Sequence, residues 1–309
     1  MKKLILAICL ASGMYTANAQ QDALLSQYMF NHLLINPAYA GSKDYMMATL
    51  LYRNQWVNWK GAPTTEVASL HGPIGLTNMG WGGLISHDHE GVTDRTDFYG
   101  NFSYFIRVNE QMKLGMGLRA GAAYYVRHNS DLVYWDSNDP KFASDQVSNI
   151  LPNVGAGLYL YGDMFYVGAS IPELLSYDPN KSLSIDAQTK FVPEQVRHVF
   201  ATAGYVLPIN DDVILKPSLL VKYVANTPTE VDININALLN NIIWIGASYR
   251  TSDAVVAIVE FQLNKKLRIG YSYDFTLTDI KDYSSGSHEI MLGYDFGYDI
   301  MKTKTPRYF

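Results

Sequence analysis

The stretch Leu267-Arg268-Ile269-Gly270-Tyr271-Ser272-Tyr273-Asp274-Phe275-Thr276-Leu277-Thr278 alternates without a break. Leu267, Ile269, Tyr271, Tyr273, Phe275 and Leu277 form an apolar set, and the residues between them form a small and polar one. Successive side chains of an extended chain point to opposite faces, so this period of two describes a strand with one oily and one polar face. Such a run is longer than the usual strand of a soluble protein and suits a tilted crossing of a bilayer. The pattern recurs in Leu114, Met116, Leu118, Ala120, Ala122, Tyr124 and Val126, set against Lys113, Gly115, Gly117, Arg119, Gly121, Ala123, Tyr125 and Arg127. It appears again in Ile290, Leu292, Tyr294, Phe296 and Tyr298.

Working outward from these runs, fourteen segments read as strands: 44–53, 64–72, 80–86, 95–108, 112–127, 151–161, 164–171, 195–207, 213–224, 230–238, 242–250, 254–263, 266–278 and 288–298. The links between them fall into two alternating classes. One is tight, at 109–111, 162–163, 239–241 and 264–265, with 73–79 and 208–212 somewhat longer. The other holds all the long links, at 54–63, 87–94, 128–150, 172–194 and 279–287, with 225–229 and 251–253 as short members. Tight turns at one rim and long loops at the other describe a bacterial outer-membrane barrel. The fold class expected is therefore all-β, a single closed antiparallel transmembrane β-barrel of about 14 strands with short periplasmic turns and long extracellular loops. A soluble sandwich fits less well, because the apolar face carries too much Tyr, Leu and Phe and the other face too many charges for a dry core.

Composition agrees. Of 309 residues, 17% are charged and 48% hydrophobic, with a net charge of -5. No apolar run approaches the roughly 20 residues of a membrane helix. A mildly acidic chain also lacks the clustered Lys and Arg that bind phosphate backbones, so no nucleic-acid partner is expected. Lys2 and Lys3 precede an apolar stretch from Leu4 to Leu10, and Ala17-Asn18-Ala19 offers small residues for cleavage, so 1–19 reads as a secretory signal peptide cut after Ala19. The mature chain would start at Gln20 and lose Cys9, the single cysteine, which removes disulfide, zinc-thiolate and cysteine-nucleophile chemistry. Ile8 before Cys9 is a poor fit to a lipid-attachment site.

The inward faces expected from the alternation carry Arg107, Lys113, Arg119, Lys216, Lys222, Asp232, Glu260, Arg268, Asp274 and Asp295, charges of both signs able to pair across a lumen. Tyr45, Tyr104, Tyr223, Tyr249 and Tyr298 are expected as outward girdle residues. His87, Asp88, His89 and Glu90 could seed a metal site, but they open an expected outer loop with no second cluster in sequence, so a loop turn is the reading adopted. Asp136 and Asp139 beside Trp135 read as an acidic loop. His71, His128, His198 and His288, with Ser69 and Ser287, show no spacing that links a nucleophile to a base and an orienting carboxylate. The chain is accordingly expected not to be an enzyme, with no catalytic residue, cofactor or metal.

The arm before the first strand holds Gln27-Tyr28-Met29-Phe30-Asn31 and Asn36-Pro37-Ala38-Tyr39-Ala40-Gly41. Together with Arg53-Asn54-Gln55-Trp56, Gly61-Ala62-Pro63-Thr64-Thr65, Gly80-Trp81-Gly82-Gly83, Asp88 and Gly91, it resembles the PorP/SprF family of type IX secretion and gliding-associated outer-membrane proteins of Bacteroidetes. The likeness continues through Leu151-Pro152-Asn153-Val154-Gly155-Ala156-Gly157, Tyr166-Val167-Gly168-Ala169-Ser170-Ile171-Pro172, Trp244-Ile245-Gly246-Ala247-Ser248-Tyr249-Arg250 and Ser285-Gly286-Ser287-His288-Glu289-Ile290-Met291-Leu292-Gly293-Tyr294. The resemblance implies a non-enzymatic component of type IX protein secretion, acting in export or surface anchoring of secreted proteins such as adhesins. It implies outer-membrane lipid, periplasmic type IX secretion components and a secreted surface protein as partners. A channel for small hydrophobic or polar solutes is the alternative that the fold leaves open.

The expected layout is a signal peptide at 1–19, a periplasmic arm or plug at 20–43, the barrel at 44–298 and a short periplasmic tail at 299–309. The arm's Leu24, Leu25, Tyr28, Met29, Phe30, Leu33, Leu34 and Ile35 must bury their apolar surface, each large side chain contributing about 1.5 to 3 kcal/mol. The segment either packs at the barrel mouth or in the lumen, or presents Tyr28, Phe30 and Tyr39 as a candidate docking surface for the secretion machinery.

Overall fold

The computed structural model describes residues 24–132, 145–148, 150–177 and 194–296. The signal peptide, Trp135, Asp136, Asp139, Tyr298 and the tail at 299–309 lie outside the described residues, as do parts of the two longest loops. Fourteen antiparallel strands form the wall: β1 (Met46–Asn54), β2 (Thr64–Pro73), β3 (Met79–Glu90), β4 (Thr93–Arg107), β5 (Met112–Arg127), β6 (Leu151–Gly162), β7 (Phe165–Ile171), β8 (His198–Tyr205, continued by Leu207–Pro208), β9 (Val213–Val224), β10 (Glu230–Leu239), β11 (Ile243–Arg250), β12 (Ala254–Gln262), β13 (Leu267–Thr276) and β14 (Ser287–Phe296). Each pairs with its neighbours in chain order, and β1 pairs with β14 from Met46 against Phe296 to Asn54 against His288. The sheet is therefore closed, leaving no strand edge to face lipid without hydrogen-bond partners.

Alternation decides which side chains face lipid. Along β13, Ile269, Tyr271 and Phe275 are exposed on the outside while Gly270, Ser272 and Asp274 are buried on the inside. The same holds on β5, where Met116 and Leu118 point out and Gly117 and Arg119 point in. Tyr104, Tyr223 and Tyr249 lie on the outer surface, as a girdle requires. Tyr45 does not: it is only 8% exposed and lies inside, with the Lys43 ammonium 5.9 Å from its ring centre. It is in phase with the inward Met47, Thr49, Leu51 and Arg53 of β1, so the strand's own alternation turns it into the lumen.

A second departure concerns 87–94, expected as a long outer loop. The structure carries β3 to Glu90 and β4 back from Thr93, with a two-residue turn at Gly91-Val92. Gly91 has φ +64°, which glycine adopts freely. His87, His89, Asp94 and Thr96 share the outward face here. The ladder continues while the apolar alternation stops, which is the behaviour of a hairpin rising above the hydrocarbon.

Two expectations follow from this wall. A single Cys at Lys60, exposed in the link between β1 and β2, should react with a membrane-impermeant maleimide on intact cells, whereas one at Lys265, exposed in the turn between β12 and β13, should react only after lysis. The reverse pattern would invert the topology. Tyr271→Arg, at mid-strand on the lipid face, should lower assembly by about 2–4 kcal/mol. Ser272→Ala, which removes an inward hydroxyl that has no hydrogen-bond partner, should leave heat-modifiable gel migration unchanged.

Candidate functional site: a lumen filled by the arm

Residues 24–43 occupy the barrel interior. The arm begins beside Asp274 and Glu289, near the long-loop ends of β13 and β14, and finishes beside the turn ends of the strands. It has no ladder of its own. Three short 3-10 turns, Tyr28–Phe30, His32–Leu34 and Pro37–Tyr39, carry it. Asn31 and Asn36 cap the second and third by accepting from the Leu33 and Ala38 N–H groups, and Pro37 opens the last turn, where its missing N–H costs nothing.

Turns this short leave many backbone polar groups without partners, and the wall supplies them. Glu289 accepts the Ser26 and Gln27 N–H groups at 2.8 Å each. Lys216 donates to the Met29 carbonyl at 3.2 Å, Arg119 to Leu33 at 2.5 Å and Ser170 to Ile35 at 2.7 Å. Ser103 donates to the Ala40 carbonyl. His71 Nδ1 accepts from Gly41, and Asn36 reaches back to the Leu158 carbonyl. The inward polar set is thus a fitted lining.

The lumenal charges pair, as their mixed signs suggested. Arg53 on β1 lies 2.7 Å from Asp274 and 3.2 Å from Glu289, and it also donates to the Ser26 hydroxyl. Arg250 meets Asp232 at 3.2 Å and Asp253 at 3.1 Å, and Arg268 meets Asp295 at 3.1 Å. Lys216 sits 5.5 Å from the Trp244 ring centre and 5.8 Å from that of Phe30. Arg107 and Lys113, at the turn ends of β4 and β5, are more open to solvent.

The fit is equally close where the wall has no side chain. A Cβ on Gly117 would come within 2.1 Å of the Ala38 nitrogen, and one on Gly270 within 2.1 Å of the Gln27 side-chain oxygen. Sequence reasoning treated these glycines as part of a small lumenal face; their contacts with the arm were not legible without knowing where the arm lies.

Tyr28, Phe30 and Tyr39 are brought together by this arrangement, but not as a surface. Their exposures are 1%, 8% and 0%. Tyr28 accepts from Asn234 at 2.6 Å, Phe30 packs on Trp244, and Tyr39 stands edge-on to Tyr159 with ring centres 5.5 Å apart. Large rings inside a filled lumen contribute by packing, so the expected docking surface is corrected to an internal anchor.

Above the arm, toward the long-loop rim, a small open vestibule remains. Leu24, Leu25 and Phe200 give it an apolar floor, and Arg95 is held there by Asp97 at 3.0 Å and Glu173 at 2.8 Å. Outside the wall at the same rim, His128 contacts Asp94 and Asp145 at 2.9 and 3.2 Å. Hydrogen bonds to these carboxylates raise the His128 pKa above its ordinary value.

Residues 17–294 match the family described as type IX secretion system membrane protein PorP/SprF. The chain belongs to the PorP/SprF family. Membership makes it a membrane component of type IX secretion, and its closed barrel is the form such a component takes in the outer membrane. No protein of curated function matches the sequence. Among solved structures, the toluene transporter TbuX of Ralstonia pickettii is 9% identical, with 85% of this chain and 92% of that one covered and a TM-score of 0.48. A FadL homologue of Pseudomonas aeruginosa is 12% identical, covering 92% and 97% with a TM-score of 0.45. The outer membrane protein Omp33 of Acinetobacter baumannii is 8% identical, covering 82% and 99%, also at 0.45. Each likeness is one of general shape.

The fit of the arm generates a paired test. Gly117→Ala, which would drive a methyl group into the Ala38 backbone, should destabilise the plugged barrel by about 1–3 kcal/mol or more. Gly83→Ala, where a Cβ meets nothing within 4 Å, should be tolerated. Tyr28→Ala combined with Phe30→Ala should lower barrel abundance in the membrane. Urea unfolding followed by heat-modifiable migration separates these variants.

Proposed function

We propose that this PorP/SprF protein is a non-enzymatic outer-membrane component that serves export or surface anchoring of secreted proteins such as adhesins, working with the periplasmic part of the type IX machinery, and that it reaches the membrane by way of a signal peptide cleaved after Ala19. The observation that carries this reading is the match over residues 17–294, nearly the whole mature chain. The filled lumen supports it. A barrel whose interior is occupied by its own arm, with Arg53, Asp274 and Glu289 closed around Ser26, has little room for a diffusing solute, so its contribution to secretion comes from the surfaces at its two rims. The same argument weighs against a channel for small solutes. A link to gliding belongs to the same proposal, through the surface adhesins that such barrels would serve.

Deleting the gene should abolish surface display of one or more exported proteins, and the wild-type barrel in a planar bilayer should show no steady conductance. Retained display together with open-channel currents would favour the solute pore. Amino-terminal sequencing of the mature protein should begin at Gln20.

A further inference from the structure

We infer that the outward face of the β3–β4 hairpin carries a binding site for one divalent transition metal ion of the zinc class, with His87, His89 and Asp94 as its protein ligands. His87 and His89 are two apart on β3, so both imidazoles stand on the same outward face. The ladder sets Asp94 directly opposite His89, and Thr96 opposite His87. One carboxylate oxygen, Oδ1 of Asp94, lies 2.5 Å from His89 Nδ1 and 4.0 Å from His87 Nε2. The remaining nitrogen of His87 is tied to the Thr96 hydroxyl at 2.9 Å, which turns the ring so that Nε2 faces the carboxylate.

Asp94 is itself held by neighbouring side chains. The other oxygen of Asp94 is 2.9 Å from His128 Nε2, and His128 Nδ1 is 3.2 Å from Asp145. A ligand carboxylate braced by an imidazole that is itself braced by a second carboxylate is the kind of support that orients metal ligands. His128 is distant in sequence from the His87–His89 pair, which is why the fold, and not the local motif, assembles the group. Glu66 lies opposite His87 on β2 and faces outward as well, so the two imidazoles stand beside carboxylates that favour a cation.

Among the described residues no group of three His, Cys, Asp or Glu side chains is placed to hold a metal ion as they stand, so the site forms only by side-chain rearrangement. The group is closed by hydrogen bonds instead. Tetrahedral zinc, with bonds of about 2.0–2.2 Å, sets its donors about 3.3 Å apart. Relative to that spacing, His89 and Asp94 are too close and His87 and Asp94 too far, each by less than about 1 Å. The side chains of His87, His89 and Asp94 are 45%, 44% and 23% exposed, so such shifts disturb no core packing. The ion replaces the His89–Asp94 hydrogen bond, and water takes the fourth position. Imidazole with carboxylate suits zinc better than calcium or magnesium, which prefer oxygen donors alone.

The test is titration calorimetry of ZnCl2 into the full-length barrel, purified in detergent at neutral pH without a polyhistidine tag. One equivalent should bind. His87→Ala and His89→Ala should each weaken binding at least about tenfold, and Asp145→Asn by about tenfold through the lost brace. His288→Ala, whose imidazole contacts Tyr271 elsewhere on the wall, should leave binding unchanged. Heat-modifiable migration shows whether each variant remains folded. Absence of saturable zinc binding by the wild-type protein, or full binding by a folded variant lacking both His87 and His89, overturns the proposal.

Discussion

An irregular backbone buried away from water must find a hydrogen-bond partner for each polar group, and this requirement organises the whole molecule. The wall satisfies itself through its ladder and through closure of β1 on β14. The arm cannot do so fully, because its short turns bond only part of their own groups. Seven of its other N–H and C=O groups are met by Glu289, Lys216, Arg119, Ser170, Ser103 and His71, each standing on a different strand of the barrel. Polar residues on the inside of the strands thus complete the backbone of another part of the same chain, and an unpaired group in that setting would cost several kcal/mol.

The same residues tie the arm to the closure of the sheet. Arg53 and Glu289 are directly opposed across the β1–β14 pair, and both hold Ser26. Loss of one partner from a buried pair costs about 3–5 kcal/mol, because the other charge is left unneutralised. A substitution at Ser26 therefore reaches the seam through Arg53 and Glu289.

Much of this was legible in the sequence, for a definite reason. Period two survives wherever one strand face meets lipid, so the fourteen segments and the inward charges could be read from Leu267–Thr278 and its counterparts. The rule failed where lipid no longer imposes it. His87 to Glu90 belong to a strand rising above the membrane, where polar residues occupy both faces. Tyr45 is a different case, since the alternation holds there and sets it on the inward face with Met47 and Arg53. Tyr28, Phe30 and Tyr39 announced themselves as large apolar groups in need of cover, but no local pattern could tell a packed interior from a docking surface. The approach of His128 to Asp94 was invisible for the opposite reason, since it depends on the register between β4 and β5 and not on any spacing along one strand.

The direction of the arm has a consequence for the order of folding. Its early residues lie beside the long-loop ends of the strands, while Lys43 meets the turn ends where β1 starts, so the chain runs through the lumen before it enters the wall. Gly117 and Gly270 leave no clearance for this segment to be drawn through a finished cylinder. The arm must be laid against an open, curling sheet first, and pairing of β14 with β1 comes last, enclosing it. Joining the ends of the sheet, a contact between residues far apart in sequence and slow for that reason, then waits on an amino-terminal segment that leaves the export channel first and must be kept from aggregating until the final strand arrives.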